Sequence, residues 1–573
     1  MGSYQFTSPK DFIPRIVGLF SKQGKPYGIQ GFRKDVFAGI TVGFVALPLA
    51  MAFSIAAGAT PAQGLFTSIL AGFAATLFGG SNFQISGPSV SFMVITMQIL
   101  SRYGMSGLFA ATFMAGIILV LLGLSGLGRF IKYMPYPVTT GFSTGIGVMI
   151  FSQQIKDFFG LDIAQSSIGF FEKWGEYFQF FPTLNFSALG IGLGTIAVIL
   201  LVRKFLPRIP GSVIGVIIAT VLCFVFKLSA ETIGSRFGGI PSTFPLPSLP
   251  SINFETIRTL LPEAFTIALL AVIESLLSAV VADGMSGERH NSNMELAAQG
   301  ISNIVSSIFG GIPSTGAIAR TATNIKSGAV SPIAGIVHVL ILVLFVLFLS
   351  PLASLIPLTS LAAVLIVVSW DVCNFKRFIR IIKTSPNSDI VVLLTTTLLT
   401  VLVDITFAVE AGVIMAVFLF MRRMIEVTNI KLGTRSFAQK LISDQEDTDG
   451  PIPVHSKDIE IYEITGPFFF GVADILQDVF LRISPTTQIF ILRMKDVPAI
   501  DSTGISGLET FLAQCKRKNI RVMICDLQTQ PMNALTKAGL IHDLGKENVI
   551  EDLDKAINIA EENLLENIHL LFQ

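Results

Sequence analysis

The sequence is poor in charged residues. Only 14% of its 573 residues are Asp, Glu, Lys or Arg, whereas about 25% is usual in soluble globular domains. The mean hydropathy is +0.69, and the apolar runs are long and repeated, which excludes a soluble protein and predicts a polytopic membrane protein. The formal net charge is only +1, so the composition indicates neither a nucleic-acid nor an acidic partner.

Cysteine is also scarce. Cys223, Cys373, Cys515 and Cys525 have neither the spacing of a metal site nor that of a disulfide framework. We therefore expect free thiols, no metal and no cofactor. The N-terminal stretch is mixed and polar, which does not match a cleavable signal sequence. Because the polar tail has no evident nucleophile–base pair or phosphate-binding glycine loop, we expect no enzyme activity.

Fourteen apolar segments follow one another, seven in each half of the chain. They cover residues 36–59, 63–78, 88–100, 108–124, 138–159, 188–201, 213–226, 261–282, 296–309, 317–325, 330–349, 358–372, 390–403 and 407–420. Clusters such as Arg203, Lys204 and Arg208 fall in loops on the N-terminal side, and short basic loops stay in the cytoplasm. The pattern predicts both termini in the cytoplasm, and we expect a multi-pass protein of the bacterial inner membrane.

Two stretches of the chain share one sequence pattern. Phe78-Gly79-Gly80 ends one apolar segment and Phe309-Gly310-Gly311 ends another, and each leads through a short polar linker into a new helix. These predicted interruptions lie near residues 81–91 and 312–321. Because seven segments separate the copies, the repeat is inverted, as in transporters with a binding site at mid-membrane. Helix N-termini carry partial positive charge, so the expected ligand is an anion. The alternative is chance recurrence in a chain with 50 glycines.

Two ionisable residues lie close to the predicted interruptions. Glu274 is inside an apolar run, where a carboxylate is costly unless it faces water or a partner, so we predict that it couples transport to a proton or another cation. Alternatively, Glu274 only packs between helices, and a neighbouring backbone group forms a hydrogen bond with its carboxyl group. Arg320 lies four residues after Gly316, where its fixed charge favours an anion. The alternative is a structural ion pair between Arg320 and Glu274.

Small and hydroxyl-bearing residues surround both interruptions, and they let backbone N–H groups approach a ligand. With Arg320, the predicted substrate-binding residues are Phe53, Ser86, Gly87, Ser89, Ser91, Thr315, Gly316, Ala317, Ala319 and Thr321. The alternative for the small residues is close helix packing. Pro48 lies inside the first segment, and a kink there would direct Phe53 toward the site. The alternative is that Phe53 faces lipid or packs in the core.

The composition changes after the last apolar segment. We predict an N-terminal segment at 1–35, a transporter domain at 36–428, a linker at 429–455 and a cytoplasmic domain at 456–573. In the last of these, strands alternate with helices, which indicates a small α/β domain. Asp501-Ser502-Thr503-Gly504 reads as a capped helix start. Asn374 to Lys383 alternates cations with apolar residues, which predicts an interfacial helix. We interpret Asp404 and Glu410 as solvated or structural.

These motifs resemble those of the sulfate permease (SulP) family of anion transporters over nearly the whole chain. The resemblance rests on Ala46-Leu47-Pro48, Met51-Ala52-Phe53, Ile85-Ser86-Gly87-Pro88, Asn293-Met294-Glu295-Leu296 and Gln299-Gly300. The tail is similar to the family's STAS domain. The resemblance implies fourteen spans in two inverted repeats of seven, with spans one to four and eight to eleven forming a core domain and the rest a gate domain. It also implies a dimer, and an anion between the third and tenth spans.

Within the family, Ile273 to Leu277 and Val281 to Met285 most resemble the bacterial dicarboxylic acid uptake transporters. That implies succinate, fumarate or aspartate, moved with protons. A sodium-coupled bicarbonate branch has Asp where this chain has Glu274, and animal relatives have Ser where it has Ala319. Some STAS relatives are phosphorylated at the position of Ser502, which is a candidate regulatory residue here, and a cytoplasmic protein is a candidate STAS partner.

The leading hypothesis is a secondary active anion transporter, a proton symporter with an elevator-like movement of core against gate. Sulfate, bicarbonate and chloride remain alternative substrates, and exchange or an uncoupled channel remain alternative modes. A nucleobase symporter shares the architecture but places an acid in both the eighth and tenth spans, where this chain offers Arg320 in the tenth. A membrane-anchored signalling protein is the third class, and it gives the polar interruptions no purpose.

Overall fold

The structure is a computed structural model that describes residues 12–19, 27–128, 135–163, 169–206, 209–403, 405–427, 429–432, 458–469 and 472–571. The chain divides into two compact units, Met1–Ala416 and Val417–Gln573. Asp404 and most of the predicted linker at 429–455 lie outside the described residues.

The apolar runs form helices, because a helix pairs its own backbone groups and needs no water to do so. Up to residue 427 the elements are α1 (Arg15–Leu19), α2 (Ile29–Ala56), α3 (Pro61–Phe78), β1 (Ser86–Gly87), α4 (Phe92–Leu124), α5 (Tyr136–Phe159), α6 (Phe170–Phe180), α7 (Phe186–Phe205), α8 (Gly211–Phe226), α9 (Ile233–Phe237), α10 (Phe254–Ser286), α11 (Ser292–Ile308), β2 (Thr315–Gly316), α12 (Ile318–Lys326), α13 (Ile333–Ala353), α14 (Leu358–Cys373), α15 (Phe375–Thr384), α16 (Asn387–Leu402) and α17 (Ile405–Val427). Below, the N-terminal face is the end of the bundle at which α2 begins, and the opposite face is the other end.

The predicted fourteen spans are confirmed. Within the described residues, seven helices are long and apolar enough to cross a membrane by length and composition. One of them, α4, is two spans, because Gly104 adopts φ 66° and ψ −172° and interrupts the helix. Glycine adopts such a conformation without a steric cost. The shorter spans include α12 and the part of α4 before Gly104, which are the two helices that follow the predicted interruptions.

The spans pack as two groups. In the first group, α4 packs on α10 and α11, and α13 packs on α2. Gly116 and Gly300 bring α4 and α11 into backbone contact, since a Cβ on Gly300 would lie 2.6 Å from the Gly116 carbonyl oxygen. In the second group, α5 packs on α14 and α16, and Gly412 brings α17 against Thr396 of α16. These groups correspond to the core and gate domains that the family resemblance implies.

Two amphipathic helices lie outside the spans. The first, α15, was predicted from its alternating cations, and it begins after Asn374 in a left-handed conformation with φ 41°. The second, α6, was not predicted. Its phenylalanines Phe171 and Phe178 are exposed, while Lys173 and Tyr177 are buried on its other side. A segment of this length is too short to cross a membrane, so its apolar residues are typical of an interfacial helix.

The second unit is an α/β domain, as predicted. Its elements are β3 (Asn429–Leu432), β4 (Ile459–Thr465), α18 (Val472–Arg482), β5 (Ile489–Asp496), α19 (Ser502–Arg517), β6 (Arg521–Cys525), α20 (Thr529–Lys537), α21 (Leu540–Leu544), β7 (Val549–Ile550) and α22 (Leu553–Leu571). The strand order is β3-β4-β5-β6-β7, with only the β3–β4 pair antiparallel. The first four residues of β5 are buried between helices on both faces of the sheet.

Two buried thiols in this domain give a testable pH dependence. Cys515 and Cys525 are free and fully buried, and burial raises the pKa of each to about 12 from an ordinary value of 9. Because the unfolded chain ionises these thiols more easily than the folded one, their contribution to stability is complete below pH 9. It is lost as the pH rises from about 9 toward 12.

We therefore expect iodoacetamide at pH 8 to leave Cys515 and Cys525 of the native full-length protein unmodified, since the thiolate is the reactive form. Mass spectrometry of tryptic peptides measures the modification, and the same protein in urea is the control that reacts. Rapid alkylation of both thiols in the folded protein would contradict the burial described here.

Candidate functional site

The two interruptions meet in the interior of the bundle. There β1 and β2 pair antiparallel, Ser86 with Gly316 and Gly87 with Thr315, and the Ala317 amide donates to the Ile85 carbonyl at 2.9 Å. Irregular backbone at membrane depth needs partners inside the protein. Each interruption therefore supplies the backbone partners of the other, and the two repeats join at this ribbon.

One polar face of α11 anchors both interruptions. Four residues at helical spacing contribute: Glu295, Gln299, Asn303 and Ser306. Their side chains bond, in that order, to the Gly80 amide at 2.9 Å, the Ser86 hydroxyl at 2.7 Å, the Ser314 carbonyl at 2.8 Å and the Ile312 carbonyl at 2.7 Å. The side chains of α11 thus fix the position of the ribbon.

Two helices start beside the ribbon and run away from it in opposite directions. After Ser91, α4 begins and runs toward the opposite face, and after Ala317, α12 begins and runs toward the N-terminal face. Neither start has a side-chain cap. A helix carries partial positive charge at its N-terminus, so the positive ends of both helix dipoles lie beside the ribbon.

Arg320 adds a full positive charge at this point. Its side chain is 1% exposed, and it donates to the Pro88 carbonyl at 3.2 Å and to the Ser68 hydroxyl at 3.5 Å. Its Nε has no hydrogen-bond partner within the described chain. The guanidinium carbon lies 6.0 Å from the centre of the Phe53 ring, which places Phe53 in the core beside the site and not toward lipid.

Glu274 of α10 faces the same place from the other side. The Ser89 hydroxyl donates to its Oε1, Ser91 is close to the same carboxyl group, and Oε2 is buried without a partner in the described chain. The Glu274 carboxyl group and the Arg320 guanidinium interact electrostatically, but the two described side chains form no ion pair. The ion pair considered as an alternative from the sequence is therefore not formed between these described side chains.

The predicted residues divide into those that surround this space and those that support it. Glu274, Ser89, Ser91, Arg320, Phe53, Gly87, Ala317 and Ala319 lie around the two helix starts. The hydroxyl groups of three others bond to protein: Ser86 accepts from Gln299, Thr315 donates to the Ala271 carbonyl at 3.4 Å, and Thr321 accepts from the Ile85 amide at 3.1 Å. We assign these three to positioning the ribbon.

The two glycines of the ribbon are required by close contacts. A Cβ on Gly87 would lie 2.5 Å from Nη1 of Arg320, and a Cβ on Gly316 would overlap the side-chain amide of Gln84. The backbone therefore approaches the guanidinium directly at Gly87. Any larger residue at either position moves the ribbon or the side chain it touches.

Sequence reasoning missed several supporting residues. Ser68 contacts Arg320, Gln84 and Asn303 brace the ribbon, and buried His338 of α13 lies near Arg320 with its Nε2 unpartnered in the described chain. The stripe on α11 was recognisable, because Glu295, Gln299 and Asn303 recur every four residues along the helix. Nothing in the sequence singled out Ser68 or His338.

Ser502 belongs to the other unit. It is the exposed first residue of α19, and the preceding Asp501 caps that helix by accepting from the Gly504 amide at 2.7 Å. The capped turn predicted from the sequence is present, and the exposed hydroxyl is accessible. Its regulatory role stays a prediction.

Known proteins are similar to this chain over most of its length. The profile of the Sulfate permease family matches residues 32–396, and that of the STAS domain matches residues 451–556. "Putative sulfate transporter YvdB" of Bacillus subtilis is 40% identical over 538 residues, which cover 94% of this chain and 99% of that protein. "Bicarbonate transporter BicA" of Picosynechococcus is 29% identical over 542 residues, which cover 93% and 95% of the two chains.

The fold is shared with a solved structure of the murine Solute Carrier 26 family member A9 anion transporter. The TM-score is 0.84 at 19% identity, over 98% of this chain and 97% of that chain. At this identity the likeness concerns the fold alone.

Proposed function

Because the chain belongs to the sulfate permease family and is an anion transporter of that family, we propose that it takes up its anion together with protons. The anion binds between the starts of α4 and α12, beside Arg320. The observation that carries this proposal is a fully buried guanidinium without an ionic partner in the described chain, placed between two uncapped helix starts. A buried charge without a partner is costly, and a bound anion removes that cost.

Proton coupling follows from the charge of the site. With Glu274 ionised, the carboxylate and the Arg320 guanidinium cancel, and the negative charge repels an incoming anion. Protonation of Glu274 leaves a net positive site, which favours the anion. The two ligands therefore bind best together, and this positive linkage is what a symporter requires. The Ser89 hydroxyl can donate to the carboxylate or accept from the protonated acid, so Glu274 has a partner in both states.

The movement that we propose is an elevator-like displacement of the core group of helices against the gate group. The site lies wholly within core helices, namely α2, α3, α4, α10 and α12. An anion bound there travels with the core as one body. We further propose a homodimer in the bacterial inner membrane with both termini in the cytoplasm.

Dicarboxylates are the first candidate substrates, because the sequence around Glu274 resembles that of dicarboxylic acid uptake transporters. Succinate, fumarate and aspartate are the members to test. Sulfate is the second candidate, since the Bacillus subtilis relative carries that word in its name. Bicarbonate is the third candidate, since the Picosynechococcus relative carries that word in its name. A helix dipole selects the sign of a ligand more strongly than its shape, so a substrate panel decides among them.

We expect Glu274→Gln to abolish uptake driven by a pH gradient and to retain anion exchange. Glutamine imitates the protonated acid, so the anion still binds, but no proton travels with it. The measurement is uptake of labelled succinate, sulfate and bicarbonate into proteoliposomes, with and without an imposed gradient, and with each anion preloaded for exchange.

Glu263→Gln is the matched control, because Glu263 lies on the same helix, nearer the opposite face. It should keep its response to the gradient. Wild-type uptake that is equal with and without the gradient would remove proton coupling, and gradient-driven uptake by Glu274→Gln would remove Glu274 as the coupling acid.

A further inference from the structure

A second polar cavity lies between the binding site and the opposite face. Its volume is about 250 Å³, and it is bounded by the end of α2, by Met97 of α4, by the end of α5, by α6 and by α9. Its charged lining residues are Lys156, Asp157, Lys173 and Arg236. The cavity therefore has three cations against one carboxylate.

Lys173 is the unusual member of this lining. It is only 4% exposed, although lysine is among the residues least often buried without a partner. It forms no ion pair with any carboxylate in the described part of the chain. The adjoining residues 164–168 are Ala-Gln-Ser-Ser-Ile, and none of them is acidic. Burial lowers the pKa of the ammonium group, and Glu176 on the same helix partly offsets this. The fold thus keeps a costly cation at the wall of a cavity.

The other cations have partners. Arg236 pairs with Asp157 at 2.9 Å and with Glu231 at 2.5 Å, and Lys156 donates to the Ile163 carbonyl. Counting Glu231 and Glu176, the cluster has three cations and three carboxylates. Lys173 is the most deeply buried of the three cations.

The cavity is close to the transport site along two helices. Met97 is five residues beyond Phe92, which corresponds to about 7.5 Å along α4. On α2, Ile55 lines the cavity and Phe53, two residues earlier, contacts Arg320. The wall contains the core helices α2 and α4, the gate helix α5 and the connecting helices α6 and α9. The cavity therefore lies on the boundary that the proposed elevator movement opens and closes.

We propose that this cavity is a second anion site, which takes up a small mono- or divalent anion from the opposite face through Lys173 and loads the site at Arg320. A fixed positive charge in a cleft with low-dielectric walls raises the local concentration of anions. The loading role rests on the proposed transport function, whereas the binding of an anion at Lys173 does not. The two are therefore tested separately.

Binding is tested with iodide, because its anomalous scattering locates it in crystals of the full-length protein. We expect an iodide peak beside Lys173 in the wild type and in Arg320→Met, and none in Lys173→Gln. Absence of the peak from both the wild type and Arg320→Met overturns the proposal. A peak that persists in Lys173→Gln means an adventitious ion only, and also overturns it.

Loading is tested by initial uptake rates in proteoliposomes of known orientation, at low ionic strength, with labelled succinate, sulfate and bicarbonate added on the opposite face. We expect Lys173→Gln to raise KM about tenfold with unchanged Vmax, and Lys173→Arg to restore most of the affinity. The exposed Lys227 is on the same face, and Lys227→Gln is the control that leaves KM unchanged. Equal KM in the wild type and Lys173→Gln, or an equal rise in Lys227→Gln, overturns the loading role.

Discussion

Arg320→Met is expected to weaken anion binding by about 100-fold or more, because removal of one partner of a buried, hydrogen-bonded charge pair costs roughly 3 kcal/mol or more. Without anion, the variant should be at least as thermally stable as the wild type, since the lost charge had no ionic partner in the described chain. The measurement is the shift in melting temperature of the purified protein with succinate, sulfate, bicarbonate and chloride, followed by uptake of the anion that shifts it most.

The control for Arg320→Met is Lys326→Met. Lys326 is the exposed last residue of the same helix, α12, so this variant removes the same formal charge away from the site. It should bind and transport like the wild type. An Arg320→Met protein that keeps the wild-type anion response would contradict the site described here, and equal loss in Lys326→Met would assign the effect to net charge.

Gly316→Ala is expected to reduce uptake at least tenfold and to lower the melting temperature, although the helices remain intact. The new Cβ would overlap the side-chain amide of Gln84. Gln84 is buried and donates to the Ser275 carbonyl at 3.2 Å, so it has no free space to occupy. Overpacking of this kind costs about 1–3 kcal/mol, and here it also displaces the paired strands β1 and β2 that set the position of both helix starts.

Two further variants sharpen this experiment. Gly194→Ala in α7 is the control, because no atom lies within 4 Å of the Cβ it would add, and it should transport normally. The double variant Gln84→Ala with Gly316→Ala should recover part of the uptake, since it removes the side chain that the new methyl group strikes. Normal uptake by Gly316→Ala alone would show that the ribbon tolerates the displacement.

The interruptions could be predicted because they are local. Phe78-Gly79-Gly80 and Phe309-Gly310-Gly311 end apolar runs, and glycine and proline punctuate a helix wherever they occur. The start of the third span was less accurate. It was predicted at Pro88, whereas α4 begins at Phe92, because Ser86 and Gly87 pair with the other interruption and residues 88–91 follow before the helix starts.

The direction of the hydroxyl groups could not be predicted. Ser86, Ser89 and Thr321 are similar in sequence context, yet Ser89 donates to Glu274 while Ser86 and Thr321 accept from Gln299 and from the Ile85 amide. Which way each points depends on helices more than 180 residues away. The same reason explains why Ser68 was missed, since its only distinction is a contact with a residue of the second repeat.

The sequence by itself determined the number of spans, the places where two of them are interrupted and the charges available to the site. These depend on apolar run lengths and on residue type, which act over a few residues. The tertiary structure alone decided that the two interruptions pair with each other, that Arg320 and Glu274 contact the neighbouring residues Pro88 and Ser89 without forming an ion pair, and that Lys173 is buried at a cavity wall. Each of these depends on the packing of distant helices, whose contact energies no local pattern records.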